Sequence, residues 1–273
     1  MKKQLLIIAV LTFGLSFSQT HRYIYELSIK RDNQINKMNM VLDIDNDYTR
    51  FYDYDFLRND SISKKTGENR QNTTQSDQLI LRKTNTSENK AFHDSMFDYF
   101  VIDSKDEITW KIENETKKSA EYSLQKATAD FGGRKWTAWF CSAVPFQEGP
   151  YKFRGLPGLI FELQDDTGTY IYTLLKSINL PETFATNNFL ETHYGKQPVK
   201  VNLKQFHKVK LDYYNDPVAD MKNALKNGGT VVIRGEKITS QEQLDQKRKF
   251  LQEIIRKNYN PIEPDKAIPY PEN

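Results

Sequence analysis

The chain has 273 residues, enough for one large or two small domains. Basic side chains number 39 against 36 acidic ones and apolar residues make up 38%, which supplies a core but no surplus for membrane spans, and no charge excess of the kind nucleic-acid binding needs. The 16 Phe, 15 Tyr and 3 Trp favour pleated, half-buried surfaces over narrow helix stripes.

Met1-Lys2-Lys3 is a positive start, and Leu5 to Phe17 follows as an apolar run. Ser16-Phe17-Ser18 places small residues where a signal peptidase would cut. A run this short reads as a secretory leader over residues 1–18, since a membrane helix needs roughly 20 apolar residues. No Cys follows it, which argues against a lipid anchor, so the mature chain is expected to begin at Gln19 or Thr20.

Tyr23, Tyr25, Leu27 and Ile29 alternate with mainly polar residues and predict a half-buried strand; Met38, Met40, Leu42 and Ile44 predict a second. Asp45-Asn46-Asp47 is a turn. Asp43, Asp45 and Asp47 alternate like the start of a Ca²⁺ loop, but Tyr48 and Tyr54 stand where its glycine and closing acid belong. Tyr48 to Phe56 predicts a third strand carrying Tyr48, Tyr52, Tyr54 and Phe56 on one face. Residues 57–78 are almost wholly polar and read as a surface loop or mobile hairpin. Strands are then expected at Leu79–Lys83, Phe97–Asp103, Ile108–Glu113 and Tyr122–Ala127. After the Gly132-Gly133 turn, Arg134 to Cys141 carries large apolar groups on both faces and reads as a central strand covered on both sides.

Gly149 to Ile178 holds the strongest local signal. In Gly155-Leu156-Pro157-Gly158-Leu159-Ile160, Pro157 and Gly158 suit the second and third positions of a type II turn. A strand follows from Leu159, Asp165-Asp166-Thr167-Gly168 is a hairpin turn, and Thr169 to Ile178 returns as its partner. Beyond Pro181, Val199 to Phe206 suggests a strand or extended arm. Asp216-Pro217 opens a short helix that Gly228-Gly229 ends. Thr239 with Glu242 suggests a capping box for a helix over 239–258, and residues 261–273 form a Pro-rich extended tail.

The run GPYKFRGLPGLIFELQD, together with Arg134-Lys135-Trp136-Thr137-Ala138-Trp139-Phe140 and Val144-Pro145, resembles the signature of the GLPGLI family, exported proteins of Bacteroidota whose activity is not established. The resemblance is firmest over residues 110–178. Leu124 stands where the family pattern suggests a Cys, which weakens any paired-thiol site. The resemblance implies a role beside TonB-dependent outer-membrane transporters and brings no enzyme mechanism.

The residues themselves offer little chemistry. His21, His93, His193 and His207 show no metal-ligand spacing. His93-Asp94-Ser95 collects triad residue types, but adjacent residues in a chain rarely face one another, and triads are recognised by geometry. Cys141 cannot form an internal disulfide; in an exported chain it is a free thiol, a partner for another chain, or a small buried hydrophobe, and its apolar surroundings favour burial. Tyr23, Tyr25, Tyr52 and Tyr54 either line the concave side of an open sheet as a ligand surface or form core beneath the C-terminal helix, and the second is favoured.

The expectation is therefore a mainly β (α+β) fold, a single domain over 19–260. It has a large curved antiparallel sheet, similar to the half-barrels of periplasmic lipoprotein carriers, and C-terminal helices. The expected function is an exported envelope protein with a binding or accessory role near an outer-membrane transporter, without cofactor, metal, nucleic acid or catalysis. Two alternatives stand beside it: a hydrolase using Cys141 or a His/Asp cluster, and a carrier of an apolar ligand.

Overall fold

The structure is a computed structural model, described over residues 19–31, 34–95, 98–233 and 235–271. The predicted leader over 1–18 lies outside the described residues. Twelve strands form one sheet. In chain order they are β1 (Thr20–Arg31), β2 (Gln34–Ile44), β3 (Tyr48–Asp53), β4 (Leu79–Lys83), β5 (Glu88–Ser95), β6 (Asp98–Lys105), β7 (Lys111–Ser119), β8 (Tyr122–Phe131), β9 (Arg134–Cys141), β10 (Leu159–Asp165), β11 (Tyr170–Leu180) and β12 (Val199–Lys200). Their order across the sheet is β12-β6-β5-β4-β3-β2-β1-β11-β10-β9-β8-β7. All pairs are antiparallel except β12 with β6. The long connection after β11 lets the chain return to the far edge, and the sheet does not close on itself.

Alternation sorts the strands onto two faces. Tyr25, Leu27, Met40, Leu42, Phe51 and Ile80 share an inner cluster with Leu124, Trp136 and Ala138, which come from the far end of the strand order. The sheet therefore curls around that cluster. Ile24, Val41, Tyr52, Leu79 and Phe92 face outward into a second cluster, covered by Phe56, Phe189 and Leu190.

Four helices follow from, and partly revise, the sequence reading. The predicted polar loop over 57–78 is in its first half helix α1 (Tyr54–Thr66), which buries Phe56 and Asp60 and ends at Gly67 in the left-handed region. The third strand accordingly stops at Asp53. A polar 13-residue helix carries no strong apolar stripe, and what holds it is the stacking of Phe56 on Phe189, 133 residues away, at 5.7 Å. Val199–Phe206 is a two-residue strand followed by α2 (Leu203–Asn215), capped by the reciprocal Asn202–Gln205 pair. Then come α3 (Ala219–Lys226), the small hairpin β13 (Val231–Ile233) with β14 (Glu236–Ile238), and α4 (Gln241–Asn258). The capping box of α4 is Ser240 with Gln243, one residue on from the predicted pair.

The C-terminal helix does not roof the inner face. Leu244 of α4 joins Val218, Val231, Ile233 and Ile238 in a separate small core. The inner face is instead filled by residues 142–158. Phe153 is fully buried, with ring centroids 4.5 Å from Trp136 and 5.2 Å from Phe131. β9 is covered chiefly on that inner side: Trp136, Ala138 and Phe140 are buried, while Thr137 and Trp139 are half-buried, with the Lys117 ammonium 4.3 Å over the Trp139 ring.

Candidate ligand-binding cavity at the end of the sheet

Residues 142–158 form a compact inward loop held by its own backbone. Gly155 N–H donates to Gln147 O (3.0 Å), Leu159 N–H to Val144 O (3.1 Å) and Ile160 N–H to Glu148 O (3.0 Å). The type II turn predicted at Pro157-Gly158 is not what forms. Gly158 has φ 155°, and glycine is needed because a Cβ there would lie 2.1 Å from the Cys141 carbonyl oxygen. Leu156, Leu159 and Ile160 are buried in the inner core. Gly155 to Ile160 is thus the neck of a plug inside the sheet.

Ions anchor the plug. Arg82 of β4, fully buried, pairs with Glu148 and donates to Asn89 Oδ1 (3.0 Å). Asn89 donates in turn to Asp106 (3.0 Å). Lys152 reaches Glu263 (2.6 Å) and Asp106 (3.3 Å); Tyr151 donates to Glu263 (2.6 Å); Lys266 pairs with both acids. Burial pushes Asp106 up, but Lys152, the Ser104 hydroxyl and Lys266 outweigh it and hold the carboxyl at about 2. Glu263, subject to the same opposition, also lies below the usual range.

This network fastens the C-terminal segment as well: the Pro-rich stretch expected to be extended is tied down onto the sheet end. Arg134, held by Asp165 at 2.8 Å, donates to the carbonyls of Pro261 (3.0 Å) and Ile262 (3.2 Å), and Tyr170 donates to Asn260 O (2.5 Å). Ile262, Glu263 and Ile268 are buried. Asp165, read from sequence as a turn residue, keeps that role by accepting from Tyr170 N–H (2.7 Å) and also positions Arg134.

Between the inner face, the plug, α2 and this strap lies a cavity of about 450 Å³. Its apolar wall includes Ala91, Ile102, Leu203, Phe206, Ile262 and Ile268, and its aromatic rim Tyr151, Tyr170, Tyr259 and Tyr270. Its charged groups are Arg31, Asp77, Asp103, Lys152, Lys210, Glu263 and Lys266, with His93 and His207 beside them. His93 Nδ1 lies 2.9 Å from Asp77 Oδ1, and its ring packs on Phe206 with centroids 4.6 Å apart. Asp77 has a left-handed backbone, φ 55°. Its side chain is exposed, and His93, with Lys210, brings its carboxyl below the usual carboxylate range. Tyr170 is pushed up to about 12, chiefly by burial.

The sequence-predicted residues fall elsewhere, apart from two histidines. Tyr23, Tyr25 and Tyr52 are core residues rather than a ligand surface: Tyr25 donates to Ile160 O (2.6 Å), and Tyr52, on the opposite face, donates to Asp43 (2.7 Å). Tyr54 begins α1 and packs against the outer cluster. Nor do these tyrosines lie beneath the C-terminal helix, which has its own core. Cys141 is 1% exposed, so no thiol faces a cleft and the cysteine hydrolase is set aside. His93 and His207 line the cavity, the latter 3.1 Å from Lys266 O. His21 contacts Asn179 at 2.8 Å, and His193 lies 3.5 Å from Asp94. β5 escaped the sequence reading, although its alternation already separates His93 from Asp94. Asp77, Arg31 and Lys210 had no motif to mark them; they meet only through the fold.

No helix among the described residues is long and apolar enough to cross a membrane. No curated protein sequence matches the chain. Two crystal forms of PNGF-II have a similar fold, each with a TM-score of 0.50, at 13% and 12% identity, covering 70% of this chain. The chain spans 32% and 33% of the PNGF-II chain, about a third of its length, and at that identity the likeness is one of fold. Residues 132–162, which comprise β9, the plug and the start of β10, match the family described as Protein of unknown function (Porph_ging).

Proposed function

We propose that the chain is an exported cell-envelope protein of the GLPGLI type that binds a small amphipathic ligand, as an accessory to an outer-membrane uptake system. The observation that carries the binding reading is the cavity. At about 450 Å³ it falls in the range of small-molecule sites, with an apolar and aromatic wall on one part of its lining and charged side chains on another. Export is supported by the Lys2-Lys3 start and the apolar run to Phe17. The family assignment is supported by the signature residues, and the transporter link by that resemblance alone.

The test is extraction of the protein from its native envelope and mass spectrometry of what it retains. Ile102 lines the cavity and belongs to neither core cluster of the sheet, so Ile102→Trp should fill the space and leave the fold intact. The wild type should carry an enriched small molecule that this variant lacks. Equal retention by both proteins, or nothing enriched on either, would refute the reading.

The His93–Asp77 pair favours a second reading, a hydrolase in which His93 acts as general base. Its Nδ1 is held by a carboxylate, and its Nε2 has no hydrogen bond among the described residues. A panel of ester and amide substrates separates the two readings: turnover that drops at least 100-fold in His93→Gln would establish the enzyme, and its absence would leave the binding protein.

A further inference from the structure

The charges that face the cavity differ in how far they are spent. Glu263 is taken by Lys152 and Lys266, Asp103 by Lys200 at 2.6 Å, and Asp77 by His93. Lys210 donates to the Asp94 carbonyl at 3.3 Å, lies over the Phe206 ring at 5.3 Å, and offsets the charge of Asp77. Arg31 differs from all of these. It stands at the end of β1, lines the cavity, and makes no ion pair among the described residues; its Nε is buried without a hydrogen-bond partner. A buried guanidinium N–H with no acceptor is a costly arrangement, and a planar fork of donors matches a carboxylate in two-point contact.

We infer that the ligand of this cavity is an amphipathic monocarboxylate, its carboxylate on Arg31 and its apolar body against Phe206, Ile102, Ile262 and Ile268. The inference rests on the binding reading above and specifies the ligand's chemistry. One negative charge fits better than two. A dianion such as a phosphate monoester would call for a second uncommitted cation, and the Asp77 carboxylate within the same space opposes extra negative charge. The phenol of Tyr170 beside Arg31 already donates to Asn260 O, so the guanidinium is the group left to recognise an acceptor at this end.

The test uses the intact chain and two probes of one skeleton, 4-phenylbutanoate and 4-phenylbutanol, titrated by calorimetry at pH 7. The acid should bind at least tenfold more tightly than the alcohol. Arg31→Gln should abolish that difference and leave the alcohol within twofold of its wild-type affinity, and Arg31→Lys should restore part of it. Circular dichroism and the unfolding midpoint verify that each variant is folded. Equal affinity of the wild type for acid and alcohol, or an acid affinity that Arg31→Gln leaves unchanged, overturns the carboxylate inference and leaves the cavity reading intact. Undiminished binding of both probes to Ile102→Trp overturns the cavity reading itself. Failure of both probes to bind at millimolar concentration overturns both.

Discussion

Gly158 lies where the strand of Cys141 runs into Ser142, so close that an added Cβ would meet the Cys141 carbonyl carbon at 2.6 Å and the Ser142 Cα at 2.8 Å. Those are backbone atoms of a buried strand end and cannot rotate away. Gly158→Ala should therefore cost about 2–4 kcal/mol, combining overpacking with an unfavourable φ, and denaturant unfolding should show a lower midpoint. An unchanged midpoint would mean that the approach is looser than described. The sequence identified this glycine correctly and its reason incorrectly: turn chemistry is local, whereas the close approach is made by residues 16 and 17 positions earlier. Cys141 offers a parallel. Its burial was legible from the apolar run around it, and Cys141→Ala should leave ligand binding unchanged in the same calorimetric titration; a loss of binding with normal folding would return the thiol to the site.

Elements whose residues alternate or cap locally were readable, and elements held by distant partners were not. β1, β2 and the β10–β11 hairpin follow from period-two patterning and from Asp165 to Gly168, because neighbouring side chains on a pleat point to opposite faces whatever the rest of the chain does. α1 was hidden because its single large buried apolar side chain, Phe56, is satisfied by Phe189. The C-terminal strap was hidden too, since prolines signal an extended chain without saying where it lies. Arg134, Tyr170, Tyr151 and Lys152 place it. Deleting residues 261–273 removes the buried Ile262, Glu263 and Ile268 and leaves Lys152 without its 2.6 Å partner. Truncation should lower the unfolding midpoint by several degrees and abolish retention of cavity ligand, measured by calorimetric scanning and by mass spectrometry; retention by the truncated chain would show that the strap is not a wall of the site.

On the scale of the whole molecule, the buried ions tie β4 and β5, the plug and the strap into one unit, and this has a signature in pH. Asp106 titrates at about 2 when folded against about 4 when unfolded, so it contributes stability above pH 4 that disappears as pH falls through about 2. Glu263 shifts in the same direction and adds to the effect. The unfolding free energy should therefore fall between pH 4 and pH 2, and Asp106→Asn should make that slope shallower. An identical slope in the variant would remove Asp106 from the account. Breaking one member of such a network is costly even where the intact network adds little net stability, because a charge is left buried without its partner.

Strand identity, the hairpin at Asp165, the aromatic-rich sheet class and the burial of Cys141 were present in local patterning, since alternation and turn preference act over a few residues. Which face of the sheet became the interior, what filled it, and where the cavity opened depended on contacts between segments far apart in the chain. Tyr25 and Tyr52 look equivalent in sequence, yet one hydroxyl meets the plug at Ile160 and the other meets Asp43 on the outside. Asp77 and His93, Arg31 and Tyr170, and Glu263 and Lys152 come from different elements, and no spacing rule joins them. The signature around Gly155 to Ile160 thus marks the plug that fills the curled sheet, while the site beside it is assembled by curvature, one residue at a time, from strand ends and the returning strap.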